Sequence, residues 1–210
     1  MTSLYFLTLV RHGESVGNAE DRHQGQMDFP LTPRGRAQAQ ALAQRWRREG
    51  RRYQALIASP LRRALETARI LGAALGLPVE TDPLWMERNN GLLAGLRWEE
   101  ARAQHPPPEV LHLYEPVGRQ GESIWDLYLR AGEAVRRLMQ RPPGRYLVVS
   151  HGGLLQMVLY TLFGIAPQPN FHGPRFVFRN TGYMDLRFDP QRGRWLVLQL
   201  VNPLWEDEVE

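Results

Sequence analysis

The chain has 210 residues, of which 43% are hydrophobic and 23% are charged, and its formal net charge is +4. This composition is typical of an ordinary globular protein, and the length favours one domain with an insertion over two domains. There is no cysteine and all 26 basic residues are arginine. Disulfides, thiolate metal sites, Schiff-base chemistry and a phosphate loop built on lysine are therefore excluded.

No apolar run approaches the roughly 18 residues of a membrane span, and the N-terminus lacks the pattern of a signal peptide. We therefore expect a cytoplasmic protein without a membrane partner. The densest basic stretch, Arg45–Arg52, lies at the end of a predicted helix, where arginines suit the helix dipole. No nucleic-acid partner is expected, because the known recognition modules are missing. A homodimer is left open.

Apolar runs and turn residues divide the chain into alternating strands and helices. The predicted strands are Leu4–Val10, Ala55–Ala58, Pro78–Thr81, Tyr146–Ser150, Phe176–Phe178, Gly182–Phe188 and Trp195–Val201. The predicted helices begin after Thr32 and after Ser59, both expected as N-caps, near Trp98, after Ser123 and after His151. This order predicts an α/β fold with a mostly parallel central sheet flanked by helices on both faces, in three α/β/α layers.

Two segments depart from the regular alternation. Residues 15–30 are polar and lack a clear period, which predicts a long loop. Residues 84–120 contain Gly91, Gly95 and three consecutive prolines, and we expect a lid-like insertion there. We therefore predict a single domain over residues 1–210, with the insertion at about 84–120. Residues 206–210 are expected to form a solvated acidic tail.

Two histidines follow predicted buried strands, and each precedes a glycine. His12 lies between Arg11 and Gly13, and His151 lies before Gly152. Ligands bind at the carboxyl ends of strands in open α/β sheets, and a neutral imidazole beside an arginine suits attack on an anionic phosphoryl group. Arg62 is predicted in the first turn of a helix, where backbone N–H groups also favour an anion. A structural role for either histidine remains the alternative.

The other histidines are weaker candidates. His23 lies in the predicted loop and could contact a substrate, whereas His105, His112 and His172 are expected at the surface. No HExxH pattern or Asp-rich loop accompanies His12 and His151, so no metal is expected.

Four motifs in order now identify a family resemblance. They are Arg11-His12-Gly13-Glu14-Ser15 with Asn18, Ser59-Pro60-Leu61-Arg62-Arg63-Ala64, Glu87 ahead of Gly91 and Gly95, and Ser150-His151-Gly152-Gly153. Together they resemble the histidine phosphatase superfamily, the phosphoglycerate mutase-like family, from residue 7 to about residue 185. Asn180-Thr181-Gly182 also resembles a late motif of this family.

The resemblance implies a role for each matched residue. His12 would be the nucleophile that forms a phosphohistidine, and Glu87 would protonate the leaving oxygen and then activate water. The resemblance implies that Arg11, Arg62, His151 and Asn18 bind the phosphoryl oxygens. Gly152 at a helix start, His23 in the loop and Arg88 in the insertion are further candidates for contact with the phosphate or substrate. Glu122 and Ser123 resemble a recurring helix start with a capping or pocket-supporting role. No cofactor is implied, and the expected partner is a small phosphorylated substrate.

Three functions remain open on the sequence. Gly17 stands where mutases carry an aromatic residue, Asn90 replaces a tyrosine, and Gly153 replaces an asparagine. The arginine pair that grips a carboxylate in mutases is also missing between residues 105 and 120. The sequence therefore favours a metal-independent phosphomonoesterase over a cofactor-dependent phosphoglycerate mutase. A non-catalytic phospho-ligand binding protein is the third alternative.

Overall fold

A six-stranded sheet forms the centre of the molecule in the computed structural model, which describes residues 4–203. The strands are β1 Tyr5–Arg11, β2 Ala55–Ala58, β3 Val79–Thr81, β4 Arg145–Ser150, β5 Tyr183–Asp189 and β6 Arg194–Val201. Their order across the sheet is β3-β2-β4-β1-β5-β6. The predicted acidic tail at 206–210 lies outside the described residues.

The pairing confirms a mostly parallel sheet. β1 is parallel to β4, and β2 is parallel to both β4 and β3. β5 is antiparallel to β1, and β6 is antiparallel to β5. Arg11 at the end of β1 is in register with Ser150 at the end of β4, so the carboxyl ends of the two strands before His12 and His151 meet at one edge.

Helices cover both faces of this sheet, as predicted. The helices are α1 Val16–Ala19, α2 Pro33–Arg48, α3 Arg62–Leu75, α4 Trp98–Gln104, α5 Ile124–Met139 and α6 Gly152–Phe163. Alternate residues of β4 point to opposite layers: Val148 packs in the core with α5 and α6, and Leu147 and Val149 pack in the core with α2 and α3. Period-two alternation in a strand between two helical layers explains why this strand is apolar on both faces.

Local predictions fail at three places where side chains satisfy the backbone. Residues 15–30 are not all loop, because the Ser15 hydroxyl caps the one-turn helix α1. The strand predicted at 176–178 does not form. Instead, the Phe176 N–H donates to the side chain of Gln156, and the Phe178 carbonyl accepts from Arg11. The third place is Ser59, which does not cap α3 because that helix begins at Arg62 with Leu61 at its N-cap.

The segment between β3 and α5 contains α4 and two short 3-10 turns, Pro83–Trp85 and Gly91–Leu93. It lies against the loop after α1, where the His23 N–H donates to the Leu96 carbonyl and the Gly95 N–H donates to the His23 carbonyl. These backbone hydrogen bonds join residues 15–30 to residues 84–120, the two segments that depart from the alternation of strands and helices. Within residues 4–203, no helix is both long and apolar enough to cross a membrane.

Candidate active site

His12 and His151 lie side by side at the edge where β1 and β4 end. The ring centroids are 5.1 Å apart, and the backbone N–H of His12 donates to the Ser150 carbonyl at 3.0 Å. Both residues are buried, with 3% and 0% of their surface exposed. Parallel neighbouring strands thus bring together two residues that are 139 positions apart.

The hydrogen bonds of His12 decide its tautomer. Its Nδ1 is 2.6 Å from the carbonyl oxygen of Gly13, and a carbonyl can only accept, so Nδ1 carries the proton. Nε2 is then the nitrogen with a free lone pair. Gly13 is required here because a Cβ would collide with the carbonyl of Gly35 at the start of α2. The space beside Gly13 is therefore occupied by the start of α2.

His151 is oriented by Ser59. The Nε2 of His151 is 2.8 Å from the Ser59 hydroxyl, and that hydroxyl also accepts from the Leu61 N–H at 3.3 Å. The Ser59 hydroxyl keeps a proton that it can donate to Nε2, and in that tautomer Nδ1 of His151 carries the ring proton and is a donor. This Nδ1 is buried and has no hydrogen-bond partner among the described residues. The serine predicted as a helix cap thus orients a histidine.

The structure places Arg63, and not Arg62, with the two histidines. Arg62 is exposed, and its backbone N–H donates to the Asp28 side chain. Arg63 is 1% exposed and lines the same cavity as His12. Its guanidinium donates to the carbonyls of Met27 and Gly25 at 2.8 and 2.7 Å. The sequence contained two adjacent arginines, and only the helical phase of α3 decides which one faces inward.

Arg11 is the second guanidinium of the cluster. It donates to the Phe178 carbonyl at 2.7 Å and lines the cavity with His12. Burial, followed by the positive charges of Arg63 and Arg11, holds the pKa of His12 well below its usual value. Burial is also the largest cause that holds the pKa of His151 well below its usual value. The charges of Arg63, His12, Arg11 and Arg130 lower this pKa further. Both imidazoles are therefore neutral near neutral pH.

Glu87 reaches this cluster from the segment after β3. Its carboxylate accepts from the backbone N–H groups of Gly153 and Leu154, both at 3.0 Å, at the start of α6. A helix N-terminus favours a carboxylate at this position. A Cβ on Gly153 would lie 2.5 Å from Oε1 of Glu87, so a side chain at position 153 would displace this carboxylate.

The remaining predicted residues border the same cavity. Asn18 and Gly152 line it next to His12. His23 is 9% exposed and packs against Trp98, with the ring centroids 3.7 Å apart and the ring planes tilted by 47°. Arg88 places its guanidinium 4.4 Å from the ring centroid of Phe171 and donates to the Asn90 side chain at 2.9 Å. Burial lowers the pKa of both His23 and Arg88, and Arg88 lowers that of His23 further.

The sequence analysis missed one wall of this cavity. The cavity has a volume of about 690 Å³, and the connection from α6 to β5 contributes Asn170, Phe171, Arg175 and Phe176 to it. Asn170 and Phe171 have φ angles of 56° and 54°, and such left-handed backbone outside glycine often accompanies functional sites. The prediction of a strand at 176–178 hid this wall. Among residues 4–203, no group of three or more His, Asp or Glu residues could hold a metal ion.

The arrangement unites a neutral imidazole with a free ring nitrogen, a second imidazole, two guanidinium groups and a carboxylate. Guanidinium and imidazole donors suit the oxygens of a phosphoryl group. The fold and this cluster define an α/β enzyme site that handles phosphoryl groups. The chain belongs to the histidine phosphatase superfamily (branch 1), whose family model matches residues 7–201.

Relatives within this family carry different activity names. A protein of Yersinia enterocolitica named "Probable phosphoglycerate mutase GpmB" is 38% identical over 192 residues, which are 90% of this chain and 86% of the relative. A mycobacterial glucosyl-3-phosphoglycerate phosphatase in complex with VO3 has 29% identity and a TM-score of 0.77, covering 94% of this chain and 98% of that one. A phosphoserine phosphatase of Entamoeba histolytica in complex with 3-phosphoglyceric acid has 25% identity and a TM-score of 0.77, covering 98% and 100%.

Proposed function

We propose that this protein is a metal-independent phosphomonoesterase that acts on a small phosphorylated metabolite through a phosphohistidine at His12. The observation that carries this proposal is the Nδ1–H of His12 on the Gly13 carbonyl, which leaves Nε2 unprotonated. A nucleophile with a fixed tautomer beside two guanidinium groups suits attack on a phosphoryl group.

In the first half of the reaction, Nε2 of His12 forms a bond to phosphorus while the ester P–O bond breaks. Glu87 is protonated when the substrate is bound and gives this proton to the departing oxygen, so the leaving group departs as an alcohol. Arg11, Arg63 and the Nδ1–H of His151 stabilise the negative charge on the phosphoryl oxygens. In the second half, Glu87 takes a proton from water, the hydroxide attacks phosphorus, and the P–N bond breaks. Inorganic phosphate leaves, and His12 returns to its neutral form.

The cavity supports a leaving group larger than a single methyl or ethyl alcohol. Its volume of about 690 Å³ is within the range of pockets that hold drug-sized ligands. Arg88 and Arg175 line it beyond His12, and we propose that they favour a leaving group with a second anionic group. We also propose that residues 84–120 act as a lid over this leaving group, within one domain.

A cofactor-dependent phosphoglycerate mutase is the second candidate, and the name of the Yersinia relative favours it. Against it stands Gly153, because an asparagine at this position would collide with Glu87 in its present place. Incubation with p-nitrophenyl phosphate and, separately, with 3-phosphoglycerate and its bisphosphate primer separates the candidates. Phosphate release without added metal supports the phosphatase, and rapid isomerisation of 3-phosphoglycerate supports the mutase.

Three controls complete this experiment. Trapping of a phosphorylated protein in the wild type and its loss in His12→Ala are expected, and full activity of His12→Ala would contradict the nucleophile. Loss of activity on chelation would contradict the metal-free mechanism. No turnover of any phosphate ester, with phosphate binding retained, would support a non-catalytic binding protein. Light scattering tests the homodimer, which remains a prediction.

A further inference from the structure

The segment that carries Glu87 lacks regular structure of its own. Residues 86–90 lie between the two 3-10 turns and belong to no strand or helix. Backbone carbonyls in such a segment need hydrogen-bond donors from elsewhere. Arg130 of α5 supplies them: Nη1 donates to the carbonyls of Leu84 and Met86 at 2.9 and 2.7 Å, and Nη2 donates to the carbonyl of Glu87 at 3.2 Å.

Glu122 holds Arg130 in this position. Nε and Nη2 of Arg130 donate to the two carboxylate oxygens of Glu122, each at 2.7 Å. This two-point pairing fixes the plane of the guanidinium, and the side chains are only 16% and 13% exposed. The backbone N–H of Glu122 also donates to the carbonyl of Asn89 at 2.9 Å. The two residues therefore hold the segment on both sides of Glu87.

We propose that Glu122 and Arg130 form a clamp that positions Glu87 for the reaction without contacting the substrate. The inference rests on the proposed function, because Glu87 is the proposed acid and base. The clamp fixes the backbone of Glu87 against α5, and the carboxylate then lies on the N-terminus of α6 beside His151. Since α6 starts directly at the end of β4, the clamp sets the position of Glu87 relative to both histidines.

The consequence for catalysis follows from geometry. A proton donor must lie within hydrogen-bond reach of the leaving oxygen, and a displacement of about 1 Å can cost about 100-fold in rate. Arg130→Met removes all five donated hydrogen bonds while keeping a similar side-chain length. Glu122→Gln keeps the side-chain volume and removes the charge that orients Arg130. Arg136→Met is the matched control, because Arg136 lies on the same helix with 60% of its side chain exposed and pairs with Glu133.

The kinetic test compares phenyl phosphate with p-nitrophenyl phosphate, which have nearly the same shape but leaving groups of different basicity. We expect Arg130→Met to lower kcat/KM for phenyl phosphate by about 100-fold, with a clearly smaller loss in kcat/KM for p-nitrophenyl phosphate. This constant reports the formation of the phosphohistidine, the step in which Glu87 protonates the leaving oxygen. In a Glu87→Gln background, Arg130→Met should add little further loss. Equal losses for both esters, or a full additional loss in that background, would overturn the clamp and indicate a general structural role.

A second measurement does not depend on turnover. The amides of Gly153 and Leu154 are protected by the carboxylate of Glu87, so their hydrogen exchange reports its position. We expect faster exchange there in Arg130→Met, in Glu122→Gln and in Glu87→Ala, with Arg136→Met like the wild type. Unchanged exchange in the folded Glu122→Gln and Arg130→Met variants would overturn the clamp. If the wild type hydrolyses no ester but exchange responds as expected, the clamp stands and the proposed function fails.

If Arg130→Met does not fold, which thermal unfolding detects, Glu122→Gln carries both measurements. Its expected kinetic loss is smaller, because a glutamine oxygen can still accept one of the two hydrogen bonds from Arg130. The dependence on leaving group must nevertheless have the same direction. An equal effect on both esters in Glu122→Gln would overturn the proposal.

Discussion

Two adjacent arginines differ sharply in what they contact. Arg63 is buried beside His12 and His151, and Arg62 is exposed. Burial lowers the pKa of Arg63 to about 10, partly offset by Glu87, and its Nε has no hydrogen-bond partner among residues 4–203. A buried cation with a free donor at the cavity is the group expected to gain most from a bound phosphoryl oxygen.

We therefore predict that Arg63→Gln lowers kcat/KM for p-nitrophenyl phosphate by about 100-fold or more, the loss typical of removing one donor to a developing charge. Arg62→Gln should retain activity close to the wild type. Steady-state kinetics on both variants, with circular dichroism to verify folding, provide the measurement. A larger loss in Arg62→Gln than in Arg63→Gln would contradict the placement of these side chains.

The neutral histidines predict a dependence of stability on pH. The pKa values of His12 and His151 are lowered in the folded protein from an ordinary value of 6.5, chiefly by burial. Below pH 6.5 the unfolded chain binds protons that the folded protein does not. Stability is therefore complete above this value and falls as the pH decreases towards the lowered pKa values, by about 1.4 kcal/mol per pH unit for each histidine.

Urea unfolding between about pH 7.5 and about pH 5 measures this dependence. His151→Gln should show a shallower decline than the wild type, because one of the two neutral histidines is gone. An unchanged decline would mean that other groups cause it. Because the pKa of His12 is lowered well below its usual value, the proposed nucleophilic nitrogen should also remain unprotonated below pH 6.5.

At the scale of elements, the connection from α6 to β5 is fixed to the segment before α5 by one side chain. The side-chain Oδ1 of Asn170 accepts from the Leu111 N–H at 2.6 Å. The backbone N–H of Asn170 donates to the Leu111 carbonyl at 3.1 Å. Asparagine tolerates the left-handed backbone at this position. The contact holds Phe171 against Arg88 and completes the second wall of the cavity.

Asn170→Ala should therefore destabilise the protein by about 2–3 kcal/mol, from lost hydrogen bonds and a left-handed alanine. KM for bulky phosphate esters should rise, whereas turnover of p-nitrophenyl phosphate should change little, because the phosphoryl site is untouched. Gln168→Ala, at an exposed position of the same connection, is the control. Equal losses for large and small esters would contradict a role confined to this wall.

Asp185 of β5 connects several parts of the whole molecule. Its carboxylate accepts from the Thr8 hydroxyl of β1 at 2.6 Å and from Arg51 at 3.0 Å. Gln199 of β6 donates to it as well. Arg51 also lies 4.7 Å from the ring centroid of Trp46 on α2. The largely buried ion pair between Asp185 and Arg51 and its neighbouring hydrogen bonds thus connect β5 and β6 with β1 and α2.

We predict that Asp185→Asn lowers the free energy of unfolding by about 2–3 kcal/mol, because it removes one of the two carboxylates that pair with the largely buried guanidinium of Arg51 and leaves only Glu49. The kcat of the folded enzyme should be unchanged. Denaturant unfolding and kinetics on the same sample measure both quantities. Glu66→Gln, which removes the exposed partner of Arg36, should cost no more than about 1 kcal/mol. Similar losses in the two variants would contradict this difference in burial.

Much of the fold could be predicted from the sequence because the period of apolar residues is a local property. Alternating apolar strands and amphipathic helices predicted the sheet between two helical layers, and six of the seven predicted strands form. The strand expected at 176–178 does not, because side chains of Gln156 and Arg11 satisfy its backbone in place of a neighbouring strand. Apolar residues indicate burial, but they do not state which partner accepts the backbone hydrogen bonds.

By itself, the sequence predicted that His12 and His151 follow strands, and only its resemblance to a family assigned Glu87 to the same site. Only the tertiary structure decided that Arg63 faces the site, that Ser59 orients His151, and that the connection carrying Phe171 forms a wall. The physical reason is that the apolar periodicity of a strand or helix depends only on residues that are close in the chain. Helical phase, hydroxyl donors and cavity walls depend on contacts between residues that are far apart in the chain.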